Sequence, residues 1–452
     1  MEIIMSLQTM WDFSKVDCGC GREHSVSLSH AIIEKNAIEK LPDCIAEFSC
    51  KKVFVLADSN TFSVAGERVC TVLEEHGIPY VKYVFPKGDI EPDEAAVGSA
   101  VMHFNKTCDL VIGIGSGVIN DIGKILTSIT GLPYFIVGTA PSMDGYASAT
   151  SSMTLDGVKM SLQSKCPDVI IGDIDILKNA PLKMLKAGFG DMLAKYVSIA
   201  EWRISHEITG EYYCERVAEL IREALRQCVD NAAGLLNREE AAVKAVFEGL
   251  VISGAAMSFA KVSRPASGVE HYISHIWDMR SLEFGTKHEL HGIQCAVATA
   301  VVAGLYERLL TVYPDQETAL AFVNSFSYGE WAKTLKAFVG KGADAMIVLE
   351  EREEKYSPTA HKDRLDIIIG KWDKICDIIR EEIPEKKEIE RLLDLTDSPK
   401  LPSDIGLGEK LQTTFSATKD IRDKYVLSRL LWDIGLLDDF VSNIDFQREL
   451  NL

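Results

Sequence analysis

The sequence predicts an α/β domain at the N-terminus followed by an all-helical domain. In the first 180 residues, short runs rich in β-branched and aromatic residues alternate with helical patterns, which is typical of a parallel sheet covered by helices. After Pro181 the strand signals almost vanish and long amphipathic segments follow. A chain of 452 residues can form two domains of this kind, which we place at residues 1–180 and 181–452.

The predicted elements of the first domain alternate regularly and have short connections, as expected of βαβ units. Buried strands are expected at residues 52–57, 80–85, 110–113, 134–137 and 169–172, and helices at 64–75, 93–105 and 120–130. Residues 142–157 form a polar stretch rich in Ser, Thr and Gly. In the second domain we expect helices at 211–229, 238–261 and 364–383, whereas residues 333–400 match no motif.

Charge and composition exclude several classes of protein. The chain has 48 Lys and Arg against 67 Asp and Glu, a net charge of −19, which disfavours binding to nucleic acid. The longest nearly uncharged apolar stretch, residues 293–306, is too short to span a bilayer and predicts a buried core helix. The N-terminus carries an acidic residue and no signal-peptide pattern, so we expect a cytoplasmic protein.

The cysteines fit reduced thiols in a cytoplasmic protein. There are 11, an odd number, and most stand in apolar contexts. Cys18 and Cys20 alone sit close together. We expect them to lie in an ordinary loop, because a structural zinc site would need two further ligands at suitable spacing.

A glycine-rich loop follows the predicted strand at 110–113. The stretch Gly-Ile-Gly-Ser-Gly-Val-Ile-Asn-Asp at residues 113–121 leaves that strand and opens a helix. Glycine lets the backbone approach a pyrophosphate, and a helix N-terminus supplies N–H groups and partial positive charge. The spacing departs from the dinucleotide fingerprint G-x-G-x-x-G, since Val118 occupies the position where the third glycine should follow. The loop therefore indicates a phosphate site or a tight structural turn.

Two further features belong to the same edge of the predicted sheet. Asp58, just past the first strand, could hydrogen-bond a ribose or lead into the next helix. The loop at 138–145 follows another strand, so it should face the same crevice. In that loop Asp144 could bind substrate hydroxyls or cap a turn.

A cluster of histidines is the strongest chemical signal in the second domain. His271 and His275 are four residues apart and share a helix face, and His288 and His291 are three apart. Asp191 is expected at a helix start, where it is a carboxylate candidate or a helix cap. An Asp and two His residues leave a divalent ion with open positions, as in catalytic sites. Such an ion would polarise a carbonyl or stabilise an alkoxide.

Taken together, these motifs resemble the superfamily of metal-dependent polyol dehydrogenases and dehydroquinate synthases, and most closely its bacterial-type sn-glycerol-1-phosphate dehydrogenases. The resemblance covers nearly the whole chain. It is carried by residues 115–124, 138–148, 190–195, 263–275, 291–292 and 420–425. It implies a dehydroquinate synthase-like fold, with a nucleotide-binding domain, a helical domain and an active site in the cleft between them.

The resemblance also implies roles for individual residues. The metal ligands would be Asp191, His271 and His291, with His288 as the competitor of His291, and His275 and Asp144 would contact the substrate. Cofactor contacts would come from Asp58, Gly115, Ser116, Gly117, Val118, Ile119, Asn120, Asp121, Thr139, Ala140, Pro141, Ser142 and Ser148. For the substrate phosphate we propose Arg264 and Lys287, which flank the ligand segments, although Arg264 could instead pair with Glu270.

The implied reaction is reversible hydride transfer from NAD(P)H to dihydroxyacetone phosphate, which yields sn-glycerol 1-phosphate. The metal would be Zn, Ni or Fe, because Asp and His suit all three. A homodimer or higher homo-oligomer is expected. Glycerol dehydrogenase activity on an unphosphorylated polyol, dehydroquinate synthase-like lyase activity and a nucleotide-binding protein without catalysis are the alternatives. The lyase is disfavoured because residues 143–148 lack the Gly-Gly-Lys of that family.

Overall fold

A six-stranded parallel sheet organises the N-terminal part of the protein. The computed structural model describes residues 7–13, 18–87 and 89–442. The sheet has the strand order β1-β8-β5-β4-β2-β3, and every neighbouring pair is parallel. A separate antiparallel hairpin is formed by β6 and β7. The strands are β1 His30–Glu34, β2 Val53–Asp58, β3 Tyr80–Phe85, β4 Leu110–Gly115, β5 Tyr134–Gly138, β6 Thr150–Leu155, β7 Val158–Gln163 and β8 Val169–Asp173.

Helices make up most of the remaining described chain. The first eleven are α1 Leu7–Phe13, α2 Leu41–Glu47, α3 Ser59–Thr61, α4 Glu67–Glu75, α5 Glu94–His103, α6 Gly117–Thr130, α7 Ile174–Leu177, α8 Leu182–Leu193, α9 Lys195–Thr209, α10 Glu215–Asp230 and α11 Glu240–Ala260. The next eleven are α12 Val269–Phe284, α13 His291–Leu309, α14 Gln316–Asn324, α15 Tyr328–Val339, α16 Gly342–Glu353, α17 Pro358–Gly370, α18 Trp372–Glu382, α19 Lys386–Leu395, α20 Leu411–Ala417, α21 Leu427–Asp433 and α22 Leu437–Ser442.

The chain divides into two compact units. Unit 1 comprises residues up to Met192 together with Arg216–Ser263, and unit 2 comprises Leu193–Glu215 together with the residues from Arg264 onward. This division differs from the predicted boundary at residue 180, because most of α10 and all of α11 belong to unit 1.

Burial explains why unit 1 forms a parallel sheet. Every residue of β2, β4, β5 and β8 is buried, as expected for strands covered on both faces. Val, Ile and Phe side chains from these strands pack with residues of α2 and α4 in one apolar core. In unit 2 a second core joins α12, α15, α16 and α20. The unmatched segment 333–400 is therefore partly core, because its helices α15 and α16 contribute Leu335, Phe338 and Met346.

Three local features differ from the sequence prediction. Strand β1 was not predicted; it is half-buried at the sheet edge, so its apolar run is short. The polar stretch at 142–157 contains β6 and leads into the hairpin, whose turn is Asp156 and Gly157 with φ of 53° and 76°. Both values suit the two-residue turn that Asp-Gly favours. The predicted helix at 364–383 is divided into α17 and α18 at Lys371.

One helix within the described residues, α11, is long and apolar enough to cross a membrane by length and composition alone. Its most apolar window is 78% buried inside the protein. This is the pattern of a core helix and only weak support for a membrane span. The other apolar segment, predicted as a buried core helix, forms part of α13 and is buried along most of its length.

A pair of helical glycines tests the packing of unit 1. A Cβ on Gly188 of α8 would lie 2.0 Å from the carbonyl oxygen of Pro141. A backbone atom cannot easily yield, so we expect Gly188→Ala to lower the unfolding free energy by about 2 kcal/mol. In α5, a Cβ on Gly98 would meet nothing within 4 Å. Gly98→Ala should raise stability by up to about 1 kcal/mol. Chemical denaturation measures both changes, and equal effects would contradict the close contact at Pro141.

Candidate active site

The glycine loop and the second loop meet at the carboxyl edge of the sheet in unit 1. Strands β4 and β5 end side by side, with Gly115 opposite Gly138. Beyond them the backbone N–H of Thr139 donates to the carbonyl of Gly115 at 3.1 Å. The hydroxyls of Ser116 and Ser142 are hydrogen-bonded at 2.6 Å. The two loops predicted to face one crevice are thus joined directly.

The N-terminus of α6 suits an anion. Ser116 occupies the capping position but makes no side-chain capping hydrogen bond to the helix. The first N–H groups of a helix then remain available to a phosphate, and the helix dipole favours its negative charge. At the first helical position, a Cβ on Gly117 would lie 3.1 Å from the flexible Cε of Met143. Glycine thus keeps side-chain atoms away from the space in front of the helix.

Several residues predicted as cofactor contacts support this loop from inside. Lys124 is fully buried, forms an ion pair with Asp121 at 3.0 Å, and donates to the carbonyl of Thr150 at 2.5 Å and to the hydroxyl of Ser148 at 3.3 Å. Burial raises the pKa of Asp121, although Lys124 opposes the shift. Asn120 is also fully buried and donates to the carbonyl of Gly145 at 3.1 Å. These side chains hold the two loops together.

The remaining predicted cofactor residues line the same loops. Ser116, Gly117 and Val118 are half-buried, whereas Ile119, Thr139, Ala140, Pro141 and Ser142 are buried. Asp58 leads directly into α3 and caps it: its Oδ1 accepts the backbone N–H groups of Asn60 at 2.8 Å and Thr61 at 2.9 Å.

Two carboxylates of unit 1 are linked through the second loop. Asp191 is fully buried, and its Oδ2 accepts the backbone N–H of Asp144 at 2.9 Å. The Asp144 carboxylate in turn accepts the hydroxyl of Ser253 at 2.9 Å. The expected position of Asp191 at a helix start is wrong, because it lies two residues before the end of α8. Packing of α8 against the second loop, rather than a cap, explains its burial.

Three histidines converge in unit 2. The ring of His271 lies 5.0 Å from that of His291 and 6.3 Å from that of His275, and the rings of His275 and His291 are stacked at 5.8 Å. His271 and His275 share one face of α12, as their spacing predicts, and His291 is the first residue of α13. The nearness of α12 to α13 thus brings together residues that are 20 positions apart in the sequence.

The hydrogen bonds of two of these histidines determine which ring nitrogen carries a lone pair. His271 Nδ1 donates to Glu270 Oε1 at 2.7 Å. His291 Nδ1 donates at 3.0 Å to the hydroxyl of Ser274, whose own hydrogen is directed to Gln294 at 2.7 Å. Both Nε2 atoms therefore keep the lone pair, the form that binds a metal ion.

A cysteine completes this group. The thiol of Cys295 lies 3.6 Å from His291 Nε2, and the ligand atoms of His271, His291 and Cys295 are all within 4.8 Å of one another. Burial by itself would raise the pKa of Cys295, but His271 and His291 lower it below its ordinary value. From the sequence, this residue was expected only to be one of the reduced cysteines in an apolar context. Its position four residues after His291, one helical turn away, was the signal that could have identified it.

Two buried carboxylates hold the start of α12. Glu270 Oε1 accepts the backbone N–H of Gly268 at 2.8 Å, and Glu201 Oε2 accepts that of Val269 at 2.9 Å. Burial, together with the nearby charge of Glu270, raises the pKa of Glu201 to about 8. A Cβ on Gly268 would lie 2.7 Å from an oxygen of each carboxylate, so only glycine fits between them. Neither glutamate was predicted as part of the site.

The predicted phosphate role of Arg264 is contradicted by its contacts. Its side chain is 1% exposed; Nε donates to both carboxylate oxygens of Glu211 at 2.9 Å, and Nη1 donates to the carbonyl of Tyr425 at 2.9 Å. Its Nη2 also donates to the hydroxyl of Ser205 at 3.0 Å. A guanidinium consumed by internal partners cannot bind a substrate phosphate. The partner is Glu211, not Glu270 as considered from the sequence.

The last two candidates lie in the segment between α12 and α13. Lys287 is exposed there. The side chain of His288 is 57% exposed, and its Nδ1 lies 3.3 Å from Asp278 Oδ1. His291, whose ring lies near those of His271 and His275, is therefore the better candidate of the pair.

Known proteins share both the sequence and the fold. The family model for iron-containing alcohol dehydrogenases matches residues 32–181. A glycerol-1-phosphate dehydrogenase [NAD(P)+] of Halalkalibacterium halodurans is 30% identical over 400 residues, which cover 88% of this chain and 90% of the relative. The enzyme of the same name from Bacillus subtilis is 33% identical over 287 residues, covering 63% of this chain and 73% of the relative.

Solved structures confirm the predicted fold class. A probable glycerol dehydrogenase from Sinorhizobium meliloti superimposes with a TM-score of 0.57 at 17% identity, covering 92% of this chain and 98% of that one. An iron-containing alcohol dehydrogenase from Thermococcus thioreducens gives a TM-score of 0.57 at 14% identity, covering 93% and 100%. At these identities the likeness concerns the fold alone.

A structural role for Arg264 can be tested by measuring the stability of a variant that lacks its side chain. We expect Arg264→Ala to lower the unfolding free energy by about 3 kcal/mol, because it removes a buried guanidinium together with its hydrogen bonds to Glu211, Tyr425 and Ser205. Arg391→Ala is the control, since Arg391 pairs with Glu388 on the surface and both side chains are largely exposed. The control should leave the denaturation midpoint nearly unchanged. Equal midpoints for the two variants would refute a structural role for Arg264.

Proposed function

Because this chain belongs to the glycerol-1-phosphate dehydrogenase family, we propose that it is a metal-dependent oxidoreductase that reversibly reduces dihydroxyacetone phosphate to sn-glycerol 1-phosphate with NAD(P)H. The observation that carries this proposal is the pair His271 and His291. Each donates through Nδ1 to a neighbour, so that both Nε2 atoms present a lone pair within the same small group.

We propose a divalent ion, Zn, Ni or Fe, as the group held by these histidines. Two neutral imidazoles fit such an ion, and Glu270 behind His271 provides the outer-shell carboxylate typical of metal-bound histidine. Asp191 is proposed as the third ligand from its place in the sequence motif at 190–195. These three ligands would leave open positions, as catalytic sites require.

The cofactor is proposed to bind at the carboxyl edge of the sheet in unit 1. The N–H groups at the start of α6 would receive the pyrophosphate, and the glycines at 115 and 117 would admit it closely. Asp58 is proposed to contact the ribose. Further cofactor contacts are proposed for residues of the second loop and a residue shortly after it: Thr139, Ala140, Pro141, Ser142 and Ser148.

The chemistry divides between the bound groups and the chain. When bound, the nicotinamide supplies the hydride and the metal polarises the ketone oxygen. His275, beside His291, is proposed to deliver a proton to the substrate oxygen as the hydride reaches the carbon. Asp144, oriented by Ser253, is proposed to hold a substrate hydroxyl. With Arg264 excluded, Lys287 is the proposed cation for the phosphate.

Location and assembly form part of the same proposal. We propose a cytoplasmic enzyme that acts on a small phosphorylated substrate as a homodimer or higher homo-oligomer. Glycerol dehydrogenase activity and lyase activity are the alternatives that the following experiment separates.

NADH oxidation with dihydroxyacetone phosphate and with unphosphorylated dihydroxyacetone tests the proposed reaction. After chelation, activity should be lost, and adding back Zn, Ni or Fe separately should restore it and identify the working metal. The phosphorylated ketone should be preferred. His271→Ala should lose the ion of the proposed catalytic site and the activity together, because it removes one ligand of that ion.

His103→Ala serves as the control for that substitution, since His103 is an exposed residue of α5 in unit 1. It should retain both metal and turnover. Preference for the unphosphorylated ketone would favour a glycerol dehydrogenase. Reduction of neither ketone with any metal would overturn the hydride-transfer proposal, and full metal content in His271→Ala would remove this residue from the ligand set.

Gly117→Val tests the pyrophosphate role of the glycine loop. The added side chain meets the movable Met143, so the fold should persist while the space in front of α6 narrows. We expect NADH to bind at least about tenfold more weakly, a loss of about 1.4 kcal/mol, with metal content unchanged. Fluorescence titration with NADH measures the affinity. Unchanged affinity would show that the pyrophosphate does not approach this position.

A further inference from the structure

Three side chains near the N-terminus of unit 1 form a second group of potential metal ligands. His24 Nε2 lies 3.0 Å from the Sγ of Cys18 and 3.3 Å from the Sγ of Cys20. All three ligand atoms are within 4.8 Å of one another. None of these residues belongs to the proposed catalytic group. Their sequence, Cys-Gly-Cys-Gly-Arg-Glu-His, supplies the three ligands within seven residues.

The hydrogen bond on the far side of the imidazole prepares Nε2 for a metal. His24 is 5% exposed, and its Nδ1 donates to the carbonyl of Phe259 at 3.0 Å. The lone pair therefore lies on Nε2, facing two sulfur atoms. A cation bound to two thiolates and the imidazole satisfies all three.

The surrounding structure holds the imidazole in place. The His24 ring packs against Phe13 at 5.1 Å and against Phe259 at 6.2 Å between centroids. Nearby, Arg22 donates to the carbonyl of Ala260 at 2.7 Å. These contacts tie the segment to the last turn of α11. Fixing a ligand through such outer contacts is typical of metal sites in proteins.

Glycine makes the close approach of the two sulfurs possible. Gly19 and Gly21 have φ of +71° and +81°, a conformation that other residues rarely adopt. Their alternation with the cysteines turns the backbone after each one. A tetrahedral zinc ion would separate its nitrogen and sulfur ligands by about 3.6 Å. Small side-chain movements would therefore seat the ion.

We propose that Cys18, Cys20 and His24 bind one zinc ion in unit 1. Binding would release the two thiol protons to solvent and give a neutral group, because two thiolates balance the divalent charge. A fourth position remains for water or a further ligand. The sequence predicted an ordinary loop and did not include His24 as a ligand, because the spacing alone does not show that this histidine turns toward both sulfur atoms.

Metal analysis and thiol protection test this proposal on the full chain. Compared with the wild type, Cys18→Ser combined with Cys20→Ser should contain about one zinc ion fewer per chain and lose the sulfur-to-metal absorption of the cobalt-substituted protein. Cys50→Ser is the matched control, because Cys50 is also a half-buried cysteine of unit 1. Cys50→Ser should change neither the zinc content nor the sulfur-to-metal absorption of the cobalt-substituted protein.

The wild-type chain provides a measurement that does not depend on the variant folding. In zinc-loaded protein, Cys18 and Cys20 should resist alkylation, and chelation should expose them, as read by peptide mass spectrometry. Equal labelling before and after chelation, a disulfide joining the two residues, or unchanged zinc in the double variant would overturn the proposal. His271→Ala should leave this zinc in place, which separates the site from the proposed catalytic one.

Discussion

The hydrogen bonds that two buried carboxyl groups accept at the start of α12 are the constraint on which the histidine group of unit 2 depends. Glu201 also accepts the backbone N–H of Leu427 at 2.8 Å and the hydroxyl of Tyr306 at 3.1 Å, so one side chain ties α9, α12, α13 and the start of α21 together. Glu270 shares its oxygen between the helix start and His271. Burying these groups without partners would cost several kcal/mol, and the helices are therefore held where the histidines converge.

In unit 1 the main constraint is steric, because two loops must lie close together at one edge of the sheet. Parallel strands end together, but the side chains beyond them compete for space. Glycine allows the close approach at two positions. A Cβ on Gly188 would lie 2.0 Å from the carbonyl oxygen of Pro141, and a Cβ on Gly254 would lie 2.9 Å from the backbone of Ala147. The buried Lys124 then replaces water as the partner of the loop carbonyls. The result is a rigid edge with an uncapped helix at its centre.

Much of this arrangement follows from local pattern. The strands at 80–85 and 134–138 were predicted within one residue because buried parallel strands are continuous apolar runs. The shared face of His271 and His275 follows from helical spacing alone. The hairpin of β6 and β7 was missed although its Asp-Gly turn is a recognised local signal, because its strands are polar and only partly buried. Arg264 was misassigned because a charged residue beside a ligand motif looks the same whether it faces substrate or core.

The sequence by itself determined the parallel sheet, the helical second half and the order of the motifs, since these depend on periodicity and on residues close along the chain. Tertiary structure alone decided the partners of the buried polar groups. Arg264 pairs with a residue 53 positions away, and His24 donates to a carbonyl 235 positions away. Such pairs cannot be recognised from sequence periodicity. A buried charge or donor needs a partner of a certain chemical type, but that partner can lie at any position in the sequence. The proposed zinc site rests on such a distant partner, and in the proposed catalytic group His291 is oriented by Ser274, 17 positions away.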